Sequence, residues 1–288
     1  MKDDHHSTGN IKTAFFLNLF FAIVELIGGL YTNSVAILSD ALHDLGDSLS
    51  LGVAWYFQKI SGRGVDSSFS YGYKRFSVLG AIINAVVLTV GSVFILTEAV
   101  ERLFNPVMPN AEGMIYLAIG GVIINGIAAL RLKKGHSINE RVVYLHLLED
   151  ILGWIATLVV AVILNFRAIP VLDPILSLLI AAFILFNVFK NLRRSIKIIL
   201  QGTPEDIDPK EVQDKIRSFE EVIDTHDCHI WTLDGQYHIL SLHIVVDKNY
   251  NGNEIAGLKR QIKNKMQILG IDHATLEFEM PEEDCNPC

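Results

Sequence analysis

The sequence predicts an α-helical membrane protein with six transmembrane helices, followed by a C-terminal α+β ferredoxin-like domain on the cytoplasmic side. Three observations carry that prediction. Half of the 288 residues are hydrophobic and 19% are charged, against about 25% charged in an ordinary soluble domain; the mean hydropathy is +0.35. Up to about Leu200, long apolar blocks alternate with short polar patches, whereas the chain from Gln201 onward has the composition of an acidic soluble domain. Basic residues also gather in alternate connections, which orients the blocks across a bilayer.

Each element follows in order. Residues 1–10 form a polar N-terminal tail with Asp3, Asp4, His5 and His6 and without the basic start and small-residue cleavage site of a leader. Residues 11–200 hold the six-helix domain and residues 201–288 the cytoplasmic domain with its C-terminal Cys-x-x-Cys tail. A span needs about 20 mostly apolar residues; the stretches 11–31, 34–57, 76–98, 112–130, 142–166 and 171–189 supply them. Leu30 to Asn33 is a short first link, Asn105-Pro106 and Pro109-Asn110 break the chain after the third span, and Arg167 to Pro170 breaks it after the fifth. Lys59, Arg63, Lys74, Arg75, Arg131, Lys133, Lys134, Arg141, Lys190, Arg193, Arg194 and Lys197 fall on one side, and Arg102 and Arg167 on the other. Both termini are therefore expected in the cytoplasm, with the protein in the inner membrane.

Beyond Gln201 the pattern reads α-β-β-α-β. A helix over 208–219 is followed by strands over 222–233 and 237–247 about an Asp234-Gly235 turn, a helix over 254–269 and a strand over 274–280. Val212, Ile216 and Phe219 mark one apolar helix face, and Ile255, Leu258, Ile262 and Met266 the other.

Two spans carry ionisable groups at matching spacing. The second span reads Ser39-Asp40-Ala41-Leu42-His43-Asp44-Leu45-Gly46-Asp47, and the fifth reads His146-Leu147-Leu148-Glu149-Asp150. In each, His-x-x-x-Asp places both side chains on one helical face. Two such faces offer His43, Asp47, His146 and Asp150 to one ion, and four nitrogen and oxygen donors suit tetrahedral Zn²⁺. Two carboxylates also neutralise one divalent cation. A single intramembrane pair can simply bond a neighbouring helix. Each such group costs about 2.5–3.5 kcal/mol to insert, so the repeat of the spacing points to function. Asp44 is rotated by about 100° from His43. Asp40 is expected to line an outer vestibule, and Glu149 to face water or another helix.

These residues resemble the cation diffusion facilitator family of metal transporters. The resemblance rests on Ser39-Asp40-Ala41-x-His43-x-x-x-Asp47 with His146-x-x-x-Asp150, Tyr71-Gly72-Tyr73-Lys74-Arg75, Asp173-Pro174 and His226-Asp227-Cys228-His229-Ile230-Trp231, and covers nearly the whole chain. It implies a homodimer that exports metal from the cytoplasm in exchange for protons, with zinc as the expected cargo and cadmium, cobalt or iron as alternatives. Proton exchange has a chemical basis in the same groups, because ligands must lose protons to bind metal.

The resemblance also implies a cytoplasmic metal site, at His226, His243, Glu277 and Glu279, at which zinc would act as a regulator; ordinary strand histidines are the plainer alternative. Cys285 and Cys288 have metal-ligand spacing, and are read either as zinc ligands, with His5 and His6 or a second subunit, or as free thiols. His229, His238 and His273 are read as surface or packing residues. Two departures from the family stand out. Residues 58–76 include Asp66 but no histidine, so the loop metal site of some members is not expected, and Gln201 occupies the place of an acidic partner for the base near Arg75, leaving Glu205 or Asp206 as substitutes.

Enzymatic readings lack their motifs. There is no His-Glu-x-x-His, no Gly-x-Ser-x-Gly elbow and no phosphate-binding glycine loop. The net charge of −8 disfavours nucleic acid. A membrane metal sensor remains as a different class, against which the ligands inside the spans argue.

Overall fold

Long apolar blocks become long helices because backbone groups in hydrocarbon must satisfy one another. The computed structural model describes residues 4–61, 64–132, 138–247 and 251–283. Its first six elements are α1 (Asp4–Thr32), α2 (Val35–Ser61), α3 (Phe76–Phe104), α4 (Ala111–Leu132), α5 (Ile138–Phe166) and α6 (Leu172–Ile199). Four described segments are long and apolar enough to cross a bilayer: Phe76–Phe104, Ala111–Leu130, Leu147–Phe166 and Leu172–Ile199. Helix α1 adds a shorter apolar stretch, Leu19–Thr32. Helix α2 carries Asp40, Asp44 and Asp47, which lower its hydropathy. Val90, Phe94, Leu130, Phe166, Phe186 and Phe189 are each 66–81% exposed. Apolar surface on that scale belongs against lipid.

Helix α1 starts at Asp4, inside the stretch expected to be a tail. Once a span has nucleated a helix, each added residue costs little, and no proline interrupts residues 4–10.

Two compact units result, one from Met1–Phe57 with Gly80–Asn191 and one from Gln58–Leu79 with Leu192–Cys288. In the first, α2 is the shared element. Ile37 packs with Met114 and Ala118 of α4 and with Trp154 and Ala161 of α5. Val35 packs with Ile95 and Ala99 of α3 and Ala181 of α6. A Cβ at Gly46 would strike the Leu88 side chain, and one at Gly91 the Leu42 side chain. Helices α2 and α3 therefore meet at a separation that glycine permits.

The second unit holds α7 (Pro209–Arg217), β1 (Val222–Thr232), β2 (His238–Val246), α8 (Gly252–Ile268) and β3 (His273–Glu279), in the expected order. Strand β2 is central, antiparallel to β1 and parallel to β3. Val212 and Ile216 of α7 and Leu258, Ile262 and Met266 of α8 cover Leu240, Leu242 and Ile244 of β2 in one core. The hairpin turns at Gly235, whose φ of +90° favours glycine. Asp234 Oδ1 accepts from the amides of Gln236 (2.9 Å) and Tyr237 (2.8 Å). Helix α7 opens on Asp208 as its cap, and α8 on a reciprocal Asn251–Glu254 capping box.

Candidate metal centres

Helix α2 presents its ionisable side chains on consecutive turns. His43 and Asp47 face each other with Nε2 and Oδ2 3.7 Å apart, their side chains 21% and 27% exposed. Asp40 and Asp44 lie deeper, 8% and 5% exposed. Asp40 Oδ1 is 3.7 Å from the point a Gly153 Cβ would occupy, so it lies against α5. Asp40, expected at an outer vestibule, is thus buried, with its carboxylate against α5. Asp150 of α5 is half-buried, and Glu149 is exposed, facing away from the core as expected. Asp44 is within electrostatic reach of Asp150, His43 and Asp47. His146 lies in α5, but its side chain falls outside the described residues.

One residue of this cluster escaped the spacing argument. Glu25 of α1 is 1% exposed, within hydrogen-bonding reach of Asp44 and electrostatic reach of Asp40 and Asp150. Its signal in the sequence is a lone carboxylate in the apolar block 11–31. A buried ionisable group in a span is a functional candidate without any repeat to announce it.

The start of α2 is held by another helix. Asp173, 1% exposed at the start of α6, accepts from Ser34 Oγ at 2.5 Å, the Val35 amide at 2.7 Å and the Ala36 amide at 3.4 Å. Those amides have no partner within the helix, and Asp173 caps them from outside. Asn33, in the preceding turn with φ +55°, is gripped by Arg102, whose Nη1 and Nη2 donate to its backbone oxygen (2.7 Å) and Oδ1 (2.8 Å). The helix that bears His43 and Asp47 is therefore anchored one end away from them.

In the second unit a tighter cluster forms on the sheet. Strand register sets His226 opposite His243 and His243 opposite Glu277. Glu279, 8% exposed as a residue, approaches both histidines: its Oε1 is 2.6 Å from His243 Nδ1 and its Oε2 is 3.0 Å from His226 Nε2. The buried His226 Nε2 makes no aligned hydrogen bond at that distance, which leaves donor atoms converging between the side chains. His226, His243 and Glu279 are the one group, among the described residues, whose metal-binding atoms all lie within 4.8 Å of one another. Glu277 Oε2 is 3.4 Å from His243 Nε2 on a side chain 67% exposed, at the rim.

Asp227 joins this cluster, contrary to strand alternation. It has φ +49°, and the β1–β2 register shifts between His226 and His229. That bulge turns the carboxylate to the face of His226. Its Oδ2 lies 3.6 Å from His243 Nε2 and its Oδ1 is 2.8 Å from His229 Nε2. His229 thus orients Asp227. The remaining histidines pack: His238 is 5% exposed with Nε2 3.3 Å from Asp206 Oδ2, and the exposed His273 meets the Tyr71 ring edge-on at 6.0 Å. Asp206 is thereby taken, and neither it nor Glu205 pairs with Arg75 among the described residues.

Asp66 of the loop before α3 accepts from the amides of Ser68 and Phe69, both at 2.8 Å, and from Tyr73 Oη at 2.6 Å. Cys228 is a free, half-buried thiol, pushed up to about 11 by burial and then by the Asp227 charge. Cys285 and Cys288 lie outside the described residues.

The comparisons with known proteins agree along the chain. Residues 11–200 match the cation efflux transmembrane domain and residues 204–279 the cation efflux protein cytoplasmic domain. A cadmium, cobalt and zinc/H(+)-K(+) antiporter of Bacillus subtilis is 34% identical over 97% of this chain and 92% of its own length. The metal cation efflux system protein CzcD of Cupriavidus metallidurans is 34% identical over 96% and 88%. The zinc transporter ZitB of Escherichia coli is 30% identical over 92% and 85%. With both domains matched in order on an integral membrane chain, the protein belongs to the cation efflux, or cation diffusion facilitator, family of transporters.

Proposed function

We propose that this protein is a homodimeric antiporter that exports Zn²⁺ from the cytoplasm in exchange for protons, with His43, Asp47, His146 and Asp150 as ligands of the transported ion. The observation that carries this reading is the His43–Asp47 pair at 3.7 Å on α2, with Asp44 of the same helix in electrostatic reach of Asp150 on α5. Each ligand must be deprotonated to hold the metal, so loading the ion displaces protons and reprotonation expels it. Imidazole and carboxylate donors suit zinc, and also admit cadmium, cobalt and iron; the names of the relatives include zinc, cadmium and cobalt. On this reading α1 and α2 complete a six-span domain, both termini face the cytoplasm, and the protein resides in the inner membrane. The cytoplasmic cluster of His226, His243, Glu277 and Glu279 binds a regulatory zinc ion. Cys285 and Cys288 are a further, separate metal-binding proposal.

The test is ⁶⁵Zn uptake into proteoliposomes under an imposed pH gradient, with Asp47→Ala and Asp150→Ala beside the wild type. Gradient-driven uptake that vanishes in both variants is expected. Uptake that survives both substitutions would mean the paired motifs are structural. Failure of the folded wild type with zinc, cadmium, cobalt and iron alike would favour a membrane metal sensor.

A further inference from the structure

A second polar site lies where two spans meet the water. The residues just before α3 and just after α6 wall a cavity of about 340 Å³, together with Trp231 of β1. Its polar lining includes Ser68, Ser70, Lys74, Arg75 and Gln201, and none of its lining residues is acidic. The Arg75 side chain makes no ion pair or hydrogen bond to a described residue, and its Nε is buried with no acceptor. Lys74 is held beside it, its Nζ 4.6 Å above the Tyr237 ring. A partly buried guanidinium without an oxygen partner is a costly arrangement, which an oxyanion in the cavity relieves.

The walls are fixed in place. Asp66 ties the loop through Ser68, Phe69 and Tyr73, and the Phe69 and Tyr73 rings pack at a tilt with centroids 4.6 Å apart. On the other side, Gln201 has φ +57° at the end of α6, while Gly202 N donates to Lys197 O at 2.8 Å. That helix-ending geometry ordinarily takes glycine; a glutamine here lends its side chain to the cavity wall.

The flanking surface selects the kind of anion. Leu79 at the start of α3, and Ile196, Ile199 and Leu200 at the end of α6, are 44–74% exposed. A cationic, hydroxyl-lined cavity between exposed apolar helix ends matches an amphiphile with an acidic head. We propose that this cavity binds the phosphate of an anionic phospholipid headgroup, with Arg75 and Lys74 as its cationic partners and Ser68, Ser70 and Gln201 as neutral ones. A free phosphate ion shares that chemistry but gains nothing from the apolar rim. The site is independent of which metal ion the protein carries.

The test uses the full-length protein in an uncharged maltoside detergent. Thermal unfolding is followed while dioleoyl phosphatidylglycerol, dioleoyl phosphatidylcholine or inorganic phosphate is added. Phosphatidylglycerol is expected to raise the midpoint in a saturable way, and the other two to leave it nearly unchanged. Arg75→Gln should weaken the apparent affinity for phosphatidylglycerol about tenfold, as loss of one charge-assisted contact implies. Arg193→Gln, an exposed cation near the end of the same helix but outside the cavity, should leave it within about twofold. Lys74→Gln gives an independent reading if Arg75→Gln does not fold. An unchanged response in both cavity variants overturns the proposal. An equal response to inorganic phosphate overturns the lipid assignment in favour of a soluble anion. A lipid-independent shift of Arg75→Gln from dimer to monomer means that a second copy of the chain fills the cavity, and overturns it too.

Discussion

Removing the Asp173 carboxylate tests whether the anchor on α2 holds the membrane unit together. Asp173→Ala strips three donors of their acceptor: Ser34 Oγ and the amides of Val35 and Ala36. All three residues are 0% exposed, so water cannot replace it. Charge-assisted hydrogen bonds contribute about 1.5–3 kcal/mol each, and orphaning a buried donor costs about 1–3 kcal/mol. The contact at 3.4 Å counts for little, so two bonds dominate and the loss is about 3–5 kcal/mol. At about 2–4 °C per kcal/mol for a domain of this size, the unfolding midpoint falls by roughly 6–20 °C. Asp173→Asn is milder. One of its two terminal atoms becomes a donor, and Ser34 Oγ, which already accepts from the Ile37 amide at 3.2 Å, can turn its hydroxyl to meet it. About 1–2 kcal/mol is lost. The assay is thermal unfolding of the purified protein in detergent at one scan rate, since unfolding of such a protein is a rate as much as an equilibrium. An alanine variant within 2 °C of the wild type, roughly the noise of the magnitude above, would refute the idea that Asp173 anchors α2.

Three further outcomes follow from the same geometry. Gly91→Val pushes a branched side chain into Leu42 at the α2–α3 crossing; it should destabilise by about 1–3 kcal/mol, read as the same melting shift. Zinc added to the wild type should raise the melting midpoint of the cytoplasmic unit, and His243→Ala, which removes contacts to Glu279, Glu277 and Asp227, should abolish most of that rise; an undiminished rise would place the metal elsewhere. Cys228, held up to about 11, should alkylate slowly in the folded protein at pH 8, where only ~0.1% is thiolate, against ~10% for a thiol at 9. Because the folded state disfavours the thiolate, raising the pH through about 9 should also weaken folding rather than strengthen it, a sign that urea melts at pH 8 and pH 10 would check.

The sequence was legible where periodicity and composition act alone. Apolar blocks gave the long helices, and the soluble domain's order followed from alternation and helical spacing because its core is one face of a sheet under two helices. His43 and Asp47 were legible because i, i+4 spacing is a local geometric rule. What was hidden depends on contacts between distant segments or on broken alternation. Glu25 meets Asp44 only when α1 packs beside α2. Asp227 reaches His243 only because a bulge with φ +49° turns it over; a regular strand would point it to the opposite face from His226. Asp40 is misplaced because a vestibule is inferred from depth along one helix, whereas its burial comes from the approach of α5 around position 153.

The two ligand clusters differ in a way that bears on their proposed tasks. On the sheet, three donors from three strands already lie within 4.8 Å of one another, and Asp227 is braced by His229. Strands fixed by ladder hydrogen bonds hold such a site at little entropic cost, which favours retention of an ion. Inside the membrane unit, the proposed ligands His43, Asp47 and Asp150 form no such converged group among the described residues, and two helices must approach to close a shell. A cargo site has to open as well as close, and its affinity must change between the two states for transport to proceed. Buried Asp40, Asp44 and Glu25 add carboxyl groups around that site, and any of them that ionises there needs a cation or a proton to offset it. Under the antiport proposed above, protons returning to those carboxyl groups would release the metal, and that exchange is what a pH-gradient-driven uptake experiment measures.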